Sequence, residues 1–141
     1  MADSFSGLFG PDVPYQAANL DFTTTGVKAR FAMPYKAYLR RVAVGLNAVP
    51  GDAGIVLVKK YVTPGVATGA VTLATLNMLT THAIGQVVYF DFTTTVTVSE
   101  GDELIFEVTD ASAAVNAADC WAIVRQSPEV AANNSEMVLT T

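Results

Sequence analysis

The sequence is short of the residues that most enzymes use for chemistry. Its 141 residues include one cysteine and one histidine. Cys120 has no partner for an intrachain disulfide, and the apolar residues that follow it predict a small buried side chain. His82 lies in a threonine-rich stretch, with no cysteine or carboxylate at the spacing of zinc ligands. We therefore expect His82 to be neither a metal ligand nor a general base.

Other catalytic signatures are missing as well. There is no G-x-S-x-G motif, and no glycine-rich loop precedes a convincing helix. Glu100, Asp102 and Glu103 are close enough together to suggest Ca²⁺ ligands or an acid pair, but their spacing matches no EF-hand. The alternative is that these carboxylates have a structural role, because a Gly-Asp turn commonly precedes a strand in a β-sandwich. We expect no enzymatic activity, no cofactor and no metal.

Charge is also scarce, and it is unevenly distributed. Charged residues make up 15% of the chain, hydrophobic residues 51%, and the net charge is −5. An acidic chain is not expected to bind nucleic acid, because phosphate contacts need clustered cations. No apolar run has the length of a membrane span, and the first residues do not resemble a signal peptide. We expect a protein made in the cytoplasm that does not bind membranes.

Opposite charges dominate the two halves of the sequence. Seven of the eight basic residues precede position 61, and nine of the 13 acidic residues lie from Asp91 onward. One interpretation is that the two halves attract each other within one domain. The other is a surface with a basic edge and an acidic edge, suited to docking on a neighbour.

Alternating apolar and polar residues predict an all-β domain. The strands are expected at Val27–Met33, Tyr38–Ala48, Ile55–Val62, Val71–Leu76, Val87–Phe92, Leu104–Val108 and Asp119–Gln126. Leu73, Leu76 and Leu79 could instead mark a helical stripe, so residues 70–80 are open between strand and helix. Turn residues at 50–54 and 99–102 predict two β-hairpins, one of which spans Gln86–Val108. That hairpin is expected at the centre of the sandwich, and the other one would bring Arg40 and Arg41 close to Lys59 and Lys60.

Residues 1–26 are predicted to form an extended arm, followed by a single β-sandwich domain over residues 27–141. Prolines prevent a helix in the arm, and its aromatic side chains Phe5, Phe9 and Tyr15 need an apolar surface. We expect this arm to pack on its own domain or on a neighbouring subunit. Five further aromatic residues could form a platform that stacks on sugars, or could belong to the core: Tyr35, Tyr38, Tyr61, Tyr89 and Trp121.

The order of these segments resembles the small capsid decoration, or cement, proteins of tailed bacteriophages. The resemblance covers Val27 to Asn134 and rests on the phrases VAVGLNAVPGDAGIVLVKK, GQVVYFDF, VTVSEGDELIFEVTDA and CWAIVRQSPEVAANN. It implies a jelly-roll-like antiparallel β-sandwich of about eight strands on the capsid surface of a virion, often trimeric, that holds major capsid proteins together without enzymatic activity.

The partners expected from this resemblance are the major capsid protein and further copies of the chain, as a homotrimer or alternatively a dimer. The partner-binding residues are expected to be Phe5, Phe9, Tyr15, Arg40, Arg41, Lys59 and Lys60. The alternative function is that of a glycan-binding jelly-roll module on a virion or a tail fibre.

Overall fold

The computed structural model describes residues 12–126, which form nine β-strands and, within that range, no helix that could cross a membrane. The strands are β1 (Asp12–Leu20), β2 (Gly26–Ala32), β3 (Ala37–Gly45), β4 (Gly54–Tyr61), β5 (Val71–Met78), β6 (Val87–Asp91), β7 (Thr97–Val98), β8 (Glu103–Asp110) and β9 (Ala118–Gln126). The all-β prediction is confirmed. The helical alternative for residues 70–80 is wrong, because Val71–Met78 forms β5.

The strands form two antiparallel sheets packed face to face. The five-stranded sheet has the order β1-β9-β3-β6, with the short β7 also pairing with β3. The four-stranded sheet has the order β2-β8-β4-β5. Since β6 and β7 both lie beside β3, the nine strands fill eight positions. Successive strands repeatedly cross between the two sheets, as in a jelly roll. The predicted jelly-roll-like sandwich is therefore confirmed.

Alternate residues of the central strands build the core between the sheets. On β8 the inward side chains are Leu104, Phe106 and Val108, each at most 1% exposed. The facing strand β9 contributes Cys120 and its alternate neighbours Ala122 and Val124, all fully buried. The prediction that Cys120 is a buried thiol is confirmed. Small residues on β9 opposite large ones on β8 let the two layers approach closely.

The two predicted hairpins do not form. β3 lies in the five-stranded sheet and β4 in the four-stranded one, and β6 and β8 are separated in the same way. The residues at 50–54 form a crossing between sheets that is held by the loop before β9: Ser112 donates a hydrogen bond to the Asp52 carbonyl (2.8 Å), and Ala113 donates one to the Asp52 carboxylate (2.6 Å). Turn residues indicate where a chain reverses, but not which sheet it joins next.

The sandwich begins earlier than the sequence predicted. Asp12–Leu20, assigned to the arm, forms β1 and pairs with β9 along its length, from Asp12 opposite Arg125 to Leu20 opposite Ala118. The boundary at residue 26 is thus too late for the described chain. The rest of the predicted arm, with Phe5 and Phe9, lies outside the described residues, and so do residues 127–141 of the predicted domain.

The position predicted for β6 is also wrong. β6 is at the edge of its sheet, where Tyr89 is 54% and Phe90 45% exposed, whereas β8 is central. Val88, Phe90 and Phe92 do point toward the other sheet. However, only the rim of that sheet lies opposite them, because β6 faces the edge strand β5. The alternation of the sequence gives the face of a strand but not its distance from the centre.

Replacing Phe106 or Phe90 by alanine tests whether β8 is central and β6 lies at the rim of the sandwich. We expect Phe106→Ala to lower the free energy of unfolding by about 3–5 kcal/mol, because it leaves a cavity in a closed core. Phe90→Ala removes the same atoms from a half-exposed edge and should cost about 1 kcal/mol or less. Urea unfolding of both variants measures the difference. Equal losses would contradict the assignment of β8 to the centre and β6 to the rim.

Candidate docking surface

The outer faces of the two sheets differ in chemistry. On the four-stranded sheet, charged side chains are paired with each other: Arg30 with Glu103 at 3.0 Å and Lys59 with Glu107 at 2.5 Å. Ile105, which alternates with these glutamates on β8, is fully buried. The loop after β4 also covers this face, because the Gly65 amide donates a hydrogen bond to Glu103 (2.9 Å). This face is closed by its own ion pairs.

The outer face of the five-stranded sheet carries aromatic and aliphatic side chains instead. Ala43 on β3 is the cross-strand neighbour of Tyr89 on β6 and of Trp121 on β9. The two large side chains flank Ala43 and leave it only 3% exposed. Ile123 lies two residues beyond Trp121 on the same face. We call this surface of Arg41, Ala43, Tyr89, Trp121 and Ile123 the platform.

A glycine on β3 provides room for the tryptophan. A Cβ atom on Gly45 would lie 2.8 Å from Cη2 and 3.2 Å from Cζ3 of Trp121. These distances are too short for carbon atoms in contact, so a side chain at position 45 would displace the indole ring. Gly45 therefore lets Trp121 lie close to β3 beside the platform's other members. A shallow groove runs past this ring, between it and Val87.

Arg41 connects the aromatic part of the platform to its charged end. Its guanidinium carbon lies 4.3 Å from the centre of the Tyr89 ring, in a cation–π contact. The same group donates two hydrogen bonds to Asp91, at 2.5 and 2.9 Å. These bonds lower the pKa of Asp91 and raise that of Arg41, and the charge of Arg40 lowers the pKa of Asp91 further. The pair orients Arg41 over the ring.

A β-bulge places a second arginine beside the first. The register between β3 and β9 shifts between Leu39 and Arg41, so Arg40 is the extra residue of the bulge. Arg40 and Arg41 consequently line one groove of about 440 Å³, together with Asp12, Asp91, Phe92 and Ile123. Within residues 12–126, Arg40 is exposed and its side chain has no hydrogen bond or ion pair.

The predicted basic cluster is divided between two places. Arg40 and Arg41 lie together at the groove, but Lys59 and Lys60 belong to β4 in the other sheet. Lys59 is paired with Glu107, and Lys60 donates a long hydrogen bond to the Thr97 carbonyl (3.4 Å). The proximity expected from a β3–β4 hairpin is therefore wrong. Basic residues of the first half instead pair with acidic residues of the second, which agrees with the interpretation that the halves attract each other.

Tyr15 belongs to its own domain. It lies on β1, packs against the core, and its ring centre is 5.9 Å from that of Phe31 on β2. Burial, followed by interaction with Tyr35, raises the pKa of the Tyr15 hydroxyl. The ring thus joins the edges of the two sheets, which is one of the two roles expected for the arm. Phe5 and Phe9 lie outside the part of the chain that the structure describes.

Of the five aromatic residues predicted as core or sugar platform, two share the platform. Tyr89 and Trp121 are on the outer face, whereas Tyr61 is 4% exposed and Tyr35 packs against the core. Tyr38 lines a separate small groove near Thr93–Thr95. The sequence could not select Tyr89 and Trp121, because the register that places both beside Ala43 depends on strands 30 to 80 residues apart in the chain.

The remaining candidates are part of turns. Asp102 is 6% exposed and accepts a hydrogen bond from the Ser99 amide (2.8 Å), while Gly101 adopts a φ of 86° that favours glycine. His82 accepts a hydrogen bond from the Leu79 amide through Nδ1 (3.0 Å).

Burial raises the pKa of Cys120 to about 12. Among residues 12–126, no group of three or more histidine, cysteine or acidic side chains could hold a metal ion.

The Arg41–Asp91 pair has a measurable pH signature. Because the folded-state pKa of Asp91 is lowered, the pair stabilises the fold above the unfolded pKa of about 3.9 and is lost as pH falls through the lower folded value. In an NMR titration, Arg41→Gln should raise the midpoint of the Asp91 carboxyl group. Arg125→Gln, which removes the 3.0 Å pair with Asp12, is the control and should leave that midpoint unchanged. An unchanged midpoint in Arg41→Gln would contradict the pairing.

Comparison with known proteins assigns no family to the chain. No protein-family model matches the sequence. No curated protein matches it either.

Proposed function

We propose that the protein is a structural virion component that binds the outside of a bacteriophage capsid and cements neighbouring major capsid proteins. The observation that carries the proposal is the contrast between the two outer faces of the sandwich. Both faces carry ion pairs within the domain, but only the face of the five-stranded sheet also presents the platform and a groove that Arg40 and Arg41 line, among residues 12–126. A jelly roll with one such face suits docking on another protein.

The platform has the composition of a protein-binding surface. Aromatic residues and arginine are enriched at the centres of protein interfaces, where they carry most of the binding free energy. Tyr89, Trp121 and Arg41 are of these types and are adjacent on three neighbouring strands. Each side chain is rigid or is oriented by a neighbour, so little conformational freedom is lost when a partner binds.

Arg40 supplies the charge for such a contact. Arg41 forms an ion pair with Asp91, so Arg40 is the groove arginine whose guanidinium has no ion pair among residues 12–126, although its charge acts on Asp91. A carboxylate on a capsid protein could accept hydrogen bonds from its guanidinium in a bidentate pair. We infer that an acidic group of the major capsid protein enters the groove beside Phe92 while apolar side chains cover the platform.

Co-sedimentation with capsid shells tests this proposal. The shells are assembled from the major capsid protein encoded in the same genome. Arg40→Ala should weaken binding by about tenfold, which corresponds to about 1.4 kcal/mol for one interface arginine. The Arg40 side chain has no hydrogen bond or ion pair among residues 12–126, and its backbone bond to Phe92 is unaffected by the substitution, so the variant should keep its stability.

The matched control is Lys28→Ala, which removes a half-buried cation from β2 in the other sheet, together with its hydrogen bond to Thr24 (2.7 Å) and its electrostatic effect on Asp21. This variant should bind shells like the unmodified protein. Equal binding of both variants would remove the groove from the interface, and no binding by the unmodified chain would refute the cement function itself.

A glycan-binding module is the second candidate, and the pairing of Tyr89 with Trp121 is the observation that favours it. Two rings on one face, the exposed Tyr89 and the half-buried Trp121, can stack on sugar rings, and Asp91 beside Arg41 can hydrogen-bond to hydroxyl groups. On a glycan array, this function predicts saccharide binding that Trp121→Ala abolishes and Arg40→Ala reduces. Shell binding without any glycan signal would leave the cement function as the better account.

A further inference from the structure

The four edge strands of the two sheets differ in how well they are protected against pairing with a strand of another chain. β1 contains Pro14 and a register shift between Ala17 and Leu20. β2 carries Lys28 and Arg30, with a shift after Val27. β5 has a shift opposite Val58 and Lys59. Bulges, prolines and cationic side chains are the usual means by which an edge strand avoids pairing with another chain.

β6 has none of these protections. Its five residues, Val87–Asp91, contain no proline, lysine or arginine, and they pair with β3 without a register shift. Val87, Tyr89 and Phe90 are each 44% to 54% exposed. A straight and largely apolar edge is a surface on which another strand can add to a sheet.

The hydrogen bonds to β3 identify which backbone groups of β6 are free. Phe92 donates a hydrogen bond to the Arg40 carbonyl (2.9 Å), and Leu46 donates one to the Gln86 carbonyl (3.0 Å). In an antiparallel pair, hydrogen-bonded positions alternate, so Val88 and Phe90 also bond to β3. The amides and carbonyls of Val87, Tyr89 and Asp91 therefore point away from the sheet, where no strand among the described residues pairs with them.

We propose that β6 pairs antiparallel with β6 of a second copy of this chain, with Tyr89 opposite the second copy's Tyr89. This register places Val87 opposite Asp91 in both directions. The three outward residues of each strand then exchange amide and carbonyl hydrogen bonds, and the contact has the twofold symmetry of an isologous dimer. The two five-stranded sheets become one continuous sheet with two adjacent platforms.

The charges of β6 favour its own copy as the occupant of this edge. Asp91 is the strand's one charged residue, and its carboxylate is already bound by Arg41. In the proposed register Asp91 lies opposite Val87, so no like charges meet across the twofold axis. The pairing does not depend on capsid binding, and it corresponds to the dimer rather than the trimer among the assemblies expected from the sequence.

Cysteine substitution tests both the contact and its register. Tyr89→Cys should form an interchain disulfide when the full chain is oxidised with glutathione disulfide, because opposed Cα atoms lie about 5.5 Å apart. Val87→Cys is the matched control. Its two cysteines would be four residues out of register, about 13 Å apart, and should not cross-link. Cys120 is buried and should remain a free thiol in both variants.

Light scattering of the unmodified chain should give twice its mass of 14.8 kDa, in a concentration-dependent equilibrium. Tyr89→Pro removes the ring and the outward amide and should shift this equilibrium to the monomer, whereas Tyr89→Val removes the ring but keeps the amide and should retain the dimer. A monomeric or trimeric unmodified chain would overturn the proposal, as would equal cross-linking at positions 87 and 89. Dimers that appear only after removal of residues 1–11 or 127–141 would show that the chain covers its own edge, and would also overturn it.

Discussion

The packing of two sheets on a single core is the constraint on which the rest of this structure depends. Each strand must present alternate side chains to the core, so its other side chains necessarily form an outer face. Phe106 on β8 and Val124 on β9 are examples of the inward set, and both are fully buried. The two outer faces of this protein differ in the side chains that they carry.

The outer face of the four-stranded sheet carries ion pairs around a buried isoleucine, and the outer face of the five-stranded sheet also carries aromatic rings. The part-buried ion pairs of Arg30 with Glu103 and of Lys59 with Glu107 leave few charges on that face available to a partner. Tyr89 and Trp121 instead keep apolar area available to a partner, and Arg41 is oriented between Tyr89 and Asp91. This difference supports one proposed docking face, and the bare edge of β6 supports a separate proposed contact between copies.

The sequence predicted local properties well and long-range ones poorly. The alternation of apolar and polar residues predicted the positions of most strands and the burial of Cys120 on β9. This is possible because the face to which a side chain points depends only on the residues of its own strand. The partners of β3 and β6 were wrong, because a turn signal does not say whether the chain returns beside its predecessor or crosses to the opposite sheet. The bulge at Arg40, which places two consecutive arginines in one groove, depends on β9 and leaves no mark in the local sequence.

The most direct test of the docking face is photo-cross-linking to capsid shells. A benzophenone amino acid replaces Trp121 on the platform, or Thr75 on the outer face of the opposite sheet. Trp121 is the chain's one tryptophan, and Thr75 is exposed on β5. We predict cross-links to the major capsid protein from position 121 and none from position 75. Cross-links from position 75 alone would contradict it.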